Sequence, residues 1–495
     1  GAPRAPGHAP PAVLPSLYTH ARPALSLVPV FTTFKQVDTD EYKPIQIWDA
    51  RFANFYSPFK GRPFSLYNFN AIFLYLVRHR LLKSDILMAK TDWQCFYPSL
   101  VLPPALWHYT IQHVTPSHPS CSAPVSTLIR TRRGIFGAAF MPAVGQATNV
   151  SLFQDSEIPG CECRNFQIID DTLIISTTHD PCDAHCHSDR MMALGENKGL
   201  LEAKTKREKG DGNANLVFCG KGVSILGISH PAQQWWAAAL HLLTAFPTVL
   251  SPHQKRSFCG KMNWLICHQP LARPFLSPLY PGSHLNCNHP FILFNIFMAL
   301  CIAATPRSTD FAFLLNDPPG IFNNKTRPTV YVDSSFTDQL CGIIIQTPTM
   351  SKGIRYLIPD KFSQDQQAAE LYGLFKAIQM IDRLRLKDAI IIGDNQGSLY
   401  DLFTMKSPTR RWWRISILQR ISILMLNRGD KMGYISIKWM PGIYMPADVL
   451  SRNFVHRIGV LFNLERVPNQ LFRHVCELPE PPDINLSSPP RSVWS

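Results

Sequence analysis

The stretch that most restricts this chain runs from Cys163 to Ser176, where two adjacent carboxylates, Asp170 and Asp171, sit between two β-prone apolar runs. Phe166, Gln167 and Ile168 lead in; Leu173, Ile174 and Ile175 lead out. This pattern predicts a tight hairpin with the acid pair at its tip. Burying like charges side by side is costly unless a cation offsets them. For an isolated Asp-Asp pair an exposed acidic turn is the simpler reading. The rest of the chain argues against it.

A chain of 495 residues has room for two to four domains with real cores. Its net charge of +14 fits a polyanionic partner, nucleic acid or a membrane surface, without choosing between them. The thirteen cysteines are scattered and odd in number, which reads as mostly reduced and intracellular. The longest apolar run, Phe291 to Ala304, is broken by Asn295 and is short for a bilayer, so it is expected to be a core helix. No signal peptide is visible, and a start at Gly1 reads as a processed or excised product.

The organisation expected is a Pro-rich flexible leader over 1–45, a mixed segment over 46–228, a mainly helical one over 229–325, a compact α/β domain over 326–455 and a Pro-rich tail over 456–495. No internal repeat is present.

Asp92 follows the apolar run Ile86 to Met88, as expected for an acid at the end of a buried strand. If its strand and the hairpin share a sheet, Asp92 converges with Asp170 and Asp171. Such carboxylates hold hard divalent cations. In this order the segment resembles the palm of a reverse transcriptase. Asp92 falls on the family's first metal-binding Asp, and Tyr97 on the aromatic that excludes a ribose 2′-OH. Ile168-Ile-Asp-Asp171 is similar to the Tyr-x-Asp-Asp motif. Phe140 to Gln154 resembles the segment under the nucleotide, with Gln154 at the Gln position. Gly199 to Thr205 resembles the stretch whose Lys, here Lys204, is a candidate proton donor to pyrophosphate. Ser224-Ile-Leu-Gly227 resembles the primer-grip turn. The departures are Ile168 for the aromatic, Val144 for Gly and Asn149 for Pro.

Farther on, Val330 to Ser335 reads as a central strand carrying Asp333, and Cys341 to Ile345 and Ile354 to Ile358 continue it as a meander. A helical stripe of Leu371, Leu374, Phe375 and Ile378 carries Glu370 at its edge. Ala389 to Asp394 is a buried strand ending in Asp394, and Asp448 lies in Lys438 to Arg452. The order strand Asp, helix Glu, strand-end Asp, late Asp resembles ribonuclease H. The Trp-x-Pro…Pro-Ala-Asp-x-x-Ser-Arg ending is similar to those of tyrosine-recombinase retrotransposons (the DIRS and VIPER type) and hepadnaviruses. The family's catalytic-loop His has no clear counterpart, which makes Arg452 the candidate for its role.

The resemblance implies an α+β and α/β multidomain architecture: a right-hand polymerase with fingers, palm and thumb, then an RNase H-like domain. It implies reverse transcription with cleavage of the RNA strand, and two Mg²⁺ or Mn²⁺ ions per active site. Asp92, Asp170 and Asp171 would serve one pair, with Asp333, Glu370, Asp394 and Asp448 serving the other. The partners would be RNA template, DNA primer, RNA–DNA hybrid and dNTPs, with no membrane. The location would be cytoplasm, nucleus or virus-like particle. Two other readings are an RNA-binding scaffold without catalysis and a nuclease with an inactive polymerase half.

Arg410 to Arg414 reads either as a basic handle, with Arg411 on a phosphate and Trp412 on a sugar or base, or as a helix start with buried Trp. Lys60 and Arg62 stand where the family's fingers carry cations. Cys161, Cys163, His179, Cys182, His185, Cys186 and His187 crowd one segment. Their spacing matches no firm zinc pattern, so they read as a solvated loop with incidental thiols.

Overall fold

In the computed structural model, side chains are described between residues 68 and 452, except at 103, 105–106, 108–131, 136–137, 139, 179–181, 281–283, 316, 318–319 and 408–410. Backbone strands alone are described at Leu27–Val28, Val30–Gln36, Tyr42–Trp48, Ile111–Val114, Thr127–Arg130 and Cys476–Glu477. Lys60, Arg62, Arg410 and His179 fall outside the described residues.

Two compact units form: residues 1–62 with 95–145, and 63–94 with 146–495. In the first, Leu27–Val28, Ile111–Val114 and Thr127–Arg130 make a three-stranded sheet, and Val30–Gln36 pairs antiparallel with Tyr42–Trp48. Leu27–Val28, Val30–Gln36 and the start of Tyr42–Trp48 lie in the segment read as a flexible leader. Val30-Phe-Thr-Thr-Phe is β-prone enough to override the Pro-rich composition around it.

The second unit contains two sheets that matter for function. Helix α1 (Phe69–Leu82) buries Phe69, Ile72, Phe73 and Leu76, at the spacing of one helical face, against Met88, Phe166 and Leu173. Beneath it strands β1 (Ile86–Thr91), β2 (Arg164–Ile168), β3 (Asp171–Thr177) and β4 (Glu208–Asp211) form an antiparallel sheet in the order β4-β1-β3-β2. Helix α2 (Met141–Ser156) belongs to this unit from Gln146 onward, and α3 (Ala184–Asn197) packs on β1 and β3.

Three helices follow: α4 (Ala232–Thr244), α5 (Pro252–Ile266), opened by a Ser251–Gln254 capping box, and α6 (Pro290–Ala304). The helical reading of this segment holds, and the apolar run to Ala304 is a helix of 15 residues. Among the described residues no helix is long and apolar enough to cross a membrane.

The second sheet is mixed. Its strands are β5 (Ala312–Leu314), β6 (Thr329–Ser335), β7 (Leu340–Gln346), β8 (Ser351–Leu357), β9 (Ile390–Gly393), β10 (Tyr434–Trp439) and β11 (Cys476–Glu477). The order is β5-β10-β9-β6-β7-β8, with β11 paired to β10. β6, β7 and β8 form the expected antiparallel meander, while β6, β9 and β10 are mutually parallel. Helices α7 (Gln366–Arg383), α8 (Gln396–Thr404) and α9 (Trp412–Met432) supply the connections, and α10 (Asp448–Ser451) packs on β7. β6 and β9 are buried nearly throughout because parallel strands covered on both faces have no solvated side.

Candidate metal centres

Parallel pairing builds the first site. Val332 lies opposite Gly393, so the next residues, Asp333 and Asp394, emerge side by side from adjacent strand ends. Gly373 lets α7 approach β6, since a Cβ there would stand 2.5 Å from Ser334 Oγ and 2.9 Å from Val332 Cγ1. Glu370, one turn earlier, is thereby brought to the same point. One carboxylate oxygen from each of Asp333, Glu370 and Asp394 lies within 4.8 Å of the others. Among the described residues no other trio of His, Cys, Asp or Glu meets that distance.

Gly342 plays the matching part for α10, because a Cβ there would sit 2.5 Å from Ala447 O and 2.6 Å from Leu450 Cβ. That approach sets Ser451 to donate its hydroxyl to Asp333 and leaves Asp448 beside the trio, one-third exposed. Gln366 Nε2 donates to both Glu370 Oε1 and Ser334 O at 2.6 Å. Trp439 Nε1 donates to Asp394 O at 2.7 Å, fixing the strand end. Arg452 Nε donates to Asp448 Oδ1 at 2.6 Å. The predicted four acids are therefore neighbours. Of the residues that hold them, Trp439 and Ser451 belong to the Trp-x-Pro…Ser-Arg ending, while Gln366 was not singled out from sequence; its i, i+4 relation to Glu370 was the available signal.

The electrostatics fit a cation. Burial, then the charges of Asp394 and Asp448, raises Asp333 to about 6 against the opposing Ser451 hydrogen bond. Burial, then Asp333 and Asp394, holds Glu370 well above the usual carboxylate range. Burial, with Asp448 adding, raises Asp394, whose Oδ1 is buried without a protein partner. Three crowded carboxylates with an orphaned oxygen are the donor set a hard divalent ion requires.

The second site forms on the antiparallel sheet. Thr91 pairs with Thr172, so Asp92 and Asp171 follow at adjacent positions. Ile168 pairs with Asp171, which leaves Ile169 and Asp170 as a two-residue turn. Ile169 has φ +61°, a conformation that a β-branched residue adopts at a cost. Helix α2 holds it there. Gln146 Oε1 accepts from Ile169 N–H at 2.8 Å, and Asn149 Nδ2 donates to Ile169 O at 2.9 Å and to Thr172 Oγ1 at 2.8 Å. Asn149 Oδ1 also accepts from Trp93 Nε1 at 3.2 Å, next to Asp92. Asn149, noted from sequence only as a departure from Pro, is the side chain that ties both acid-bearing segments together. Asn149→Ala strands several buried polar groups, so a loss of about 2–4 kcal/mol in unfolding free energy is expected by urea denaturation. A loss under about 0.5 kcal/mol would show that the turn does not need this anchor.

Burial, then Asp92, raises Asp170 to about 6, while its own N–H and Lys206 oppose. Burial and Asp92 also raise Asp171; the Cys219 thiol, donating at 3.3 Å to Oδ2, and Lys90 and Lys206 pull it down. Asp92 is buried and accepts from Lys206 Nζ. Lys206 pairs with Asp92, and Lys90 acts on Asp171 as well; Lys204 is exposed in the same short turn as Lys206. These three carboxylates act on one another, and no ligating oxygens of all three lie within 4.8 Å.

The remaining candidates are placed as follows. Gln154 is exposed on α2 beyond the two residues that grip the turn. Tyr97 is half-buried beside Phe96 in the first unit. Ser224 pairs with Gly227 in a tight hairpin, and Gly227, at φ +145°, leaves no space for a Cβ beside Arg307 O. Arg411 Nη1 donates to Asp365 at 2.8 Å, joined there by Trp413 Nε1 at 2.8 Å and Arg414 Nη2 at 2.6 Å. Burial would raise Asp365, but Arg414, Trp413 and Arg411 bring it to about 2. Arg414 and Trp413 fasten α9 to the start of α7, while Trp412 is 58 % exposed.

Scans against family models and against curated proteins give no match. Among solved structures the chain is similar to a foamy viral protease-reverse transcriptase dRH in complex with ds DNA, at 13% identity and TM-score 0.44 over 83% of this chain. It is also similar to a foamy viral protease-reverse transcriptase in complex with RNA/DNA hybrid, at 12% identity and TM-score 0.39 over 83% of this chain. The alignments cover 65% and 50% of those two chains, so the present chain spans half to two-thirds of their length.

Proposed function

We propose that this chain cleaves the RNA strand of an RNA–DNA hybrid at the Asp333 site and extends a DNA primer on an RNA template at the Asp92 site, as the reverse transcriptase and ribonuclease H of a retroelement. The observation that carries this reading is the convergence of Asp333, Glu370 and Asp394, with Asp448 alongside. These four would hold Mg²⁺ or Mn²⁺, and Asp92, Asp170 and Asp171 would hold the second set. When bound, such ions supply an activated oxygen nucleophile and neutralise charge on the leaving oxygen.

The chain's own groups do the positioning. Ser451 and Gln366 fix the oxygens of Asp333 and Glu370, and Trp439 fixes the backbone of Asp394. The turn held by Gln146 and Asn149 keeps Asp170 and Asp171 at the sheet end beside Asp92. The net charge of +14 suits a phosphate backbone. Hybrid affinity measured by fluorescence anisotropy should therefore fall at least tenfold between about 50 and 200 mM salt. A flat response would count against a phosphate-lined channel.

One observation favours a narrower reading. Lys206 occupies Asp92, and the palm acids are less closely gathered than the other trio. That suits a nuclease whose polymerase half is inactive. Primer extension and hybrid cleavage, assayed on the same preparation with Mg²⁺ and with Mn²⁺, separate the readings. Both activities support the full proposal, cleavage alone selects the nuclease, and neither sinks both.

A further inference from the structure

The hairpin that carries Asp170 and Asp171 has a second cluster at its opposite end. Cys161 and Cys163 immediately precede β2, and Cys182 lies five residues beyond β3. Because Arg164 pairs with Ile175, the two strands bring the first two cysteines alongside the exit towards the third. Cys163 Sγ lies 3.1 Å from the carbonyl oxygen of Cys182. Asp183 caps α3 by accepting from Cys186 N–H at 2.8 Å, which fixes Cys186 in the first helical turn. Cys186, Cys161 and Cys163 all act electrostatically on Cys182, so the four thiols share one neighbourhood. None of the four is in a disulfide.

The same segment's described histidines are engaged elsewhere. His185 Nε2 is 3.1 Å from Met88 O and 3.2 Å from Gly210 O. His187 Nε2 meets Ser156 Oγ at 2.9 Å, and its ring stacks on Phe153. The donor set that remains is four sulfurs from two chain segments. Thiolate sulfur selects soft or borderline metals, and four sulfurs in a closed set are a structural Zn²⁺ arrangement. No three of these sulfurs stand within 4.8 Å. A change of staggered rotamer swings a thiol by roughly 3 Å, and Cys161 is only partly buried while Cys186 is exposed, so core packing does not lock either.

We propose that Cys161, Cys163, Cys182 and Cys186 bind one Zn²⁺ as four thiolates and tie the base of the acid-bearing hairpin to the start of α3. Binding releases the thiol protons to solvent. Since α3 packs on β1 and β3, the ion braces the sheet whose far end carries Asp92 and Asp171.

The test uses untagged full-length protein purified without chelator. Elemental analysis should find about one zinc per chain and no iron. Titration with Co²⁺ should give sulfur-to-cobalt charge-transfer absorption saturating at about one equivalent and displaced by Zn²⁺, a signature that carboxylate sites do not give. The double variant Cys161→Ser/Cys186→Ser should lose zinc and the cobalt spectrum, while Cys95→Ser and Cys301→Ser keep both. Should the double variant fail to fold, the wild-type cobalt titration still decides. Absence of the charge-transfer band, a stoichiometric iron content, zinc retained in a folded double variant, or a disulfide between any of these cysteines in the native protein would overturn the proposal.

Discussion

Asp333→Asn should make the metal-free chain more stable than wild type and less responsive to Mg²⁺. The Asp333 carboxyl rises from 3.8 to about 6 on folding, chiefly by burial and then by Asp394 and Asp448. A carboxyl raised in the folded state favours folding when protonated. Its contribution is full below about 3.8 and is lost as pH climbs through about 6. At pH 7 the elevation corresponds to about 3 kcal/mol of destabilisation, which the neutral amide removes, less whatever the Ser451 hydrogen bond loses. A net gain of about 1–3 kcal/mol is expected in EDTA, shrinking by about half at pH 5. Wild type should recover stability on adding Mg²⁺, since a ligand bound only by the folded state stabilises it. Thermal unfolding of both proteins, with EDTA or Mg²⁺ at pH 5 and 7.5, reads this directly. A variant less stable than wild type at both pH values would mean that the trio is a structural network and not a cation site.

Asp170→Asn should reduce primer extension about a thousandfold while hybrid cleavage stays at the wild-type level. Asp170 sits at the tip of a turn held by α2, and its carboxylate accepts from its own backbone N–H, a bond the amide oxygen can keep, so the amide should leave the fold intact. The two sites stand on separate sheets of one unit, which makes a selective loss the expected pattern. Equal loss of both activities would point to a folding defect. Undiminished extension would remove Asp170 from the polymerase chemistry.

Asp92, Asp333, Asp394 and Glu370 were readable in the sequence because each lies by a short apolar strand or rides a helical stripe, and both signals are local, while Asp448 was readable only from the motif around it. Their supports were not. Asn149 reaches Ile169 and Trp93 through buried hydrogen bonds that depend on α2 lying across the hairpin, which no local pattern encodes. Lys206 was not singled out because tertiary packing decides which ammonium of a short turn meets Asp92. The ion pair of Arg411 was not legible because Asp365, its partner, lies 46 residues away in the chain. The glycines at 342 and 373 look unremarkable in sequence, and only the close approach of α10 to β7 and of α7 to β6 gives them a role. The crowded Cys and His segment was ambiguous for the same reason: its histidines are sorted from its cysteines by tertiary partners.

The measurement that bears most directly on the account is cleavage of a labelled RNA–DNA hybrid by the wild-type chain and by Glu370→Gln, with Mg²⁺ titrated from zero. Glu370 is as deeply buried as Asp333, and its carboxylate accepts from Gln366 Nε2 and from the Ser334 backbone, bonds that the amide oxygen of Gln can keep. The account predicts metal-dependent cleavage of the RNA strand by wild type and a loss of about a thousandfold in the variant at unchanged thermal stability or better. Metal-independent cleavage, or cleavage at the wild-type rate in Glu370→Gln, would contradict it.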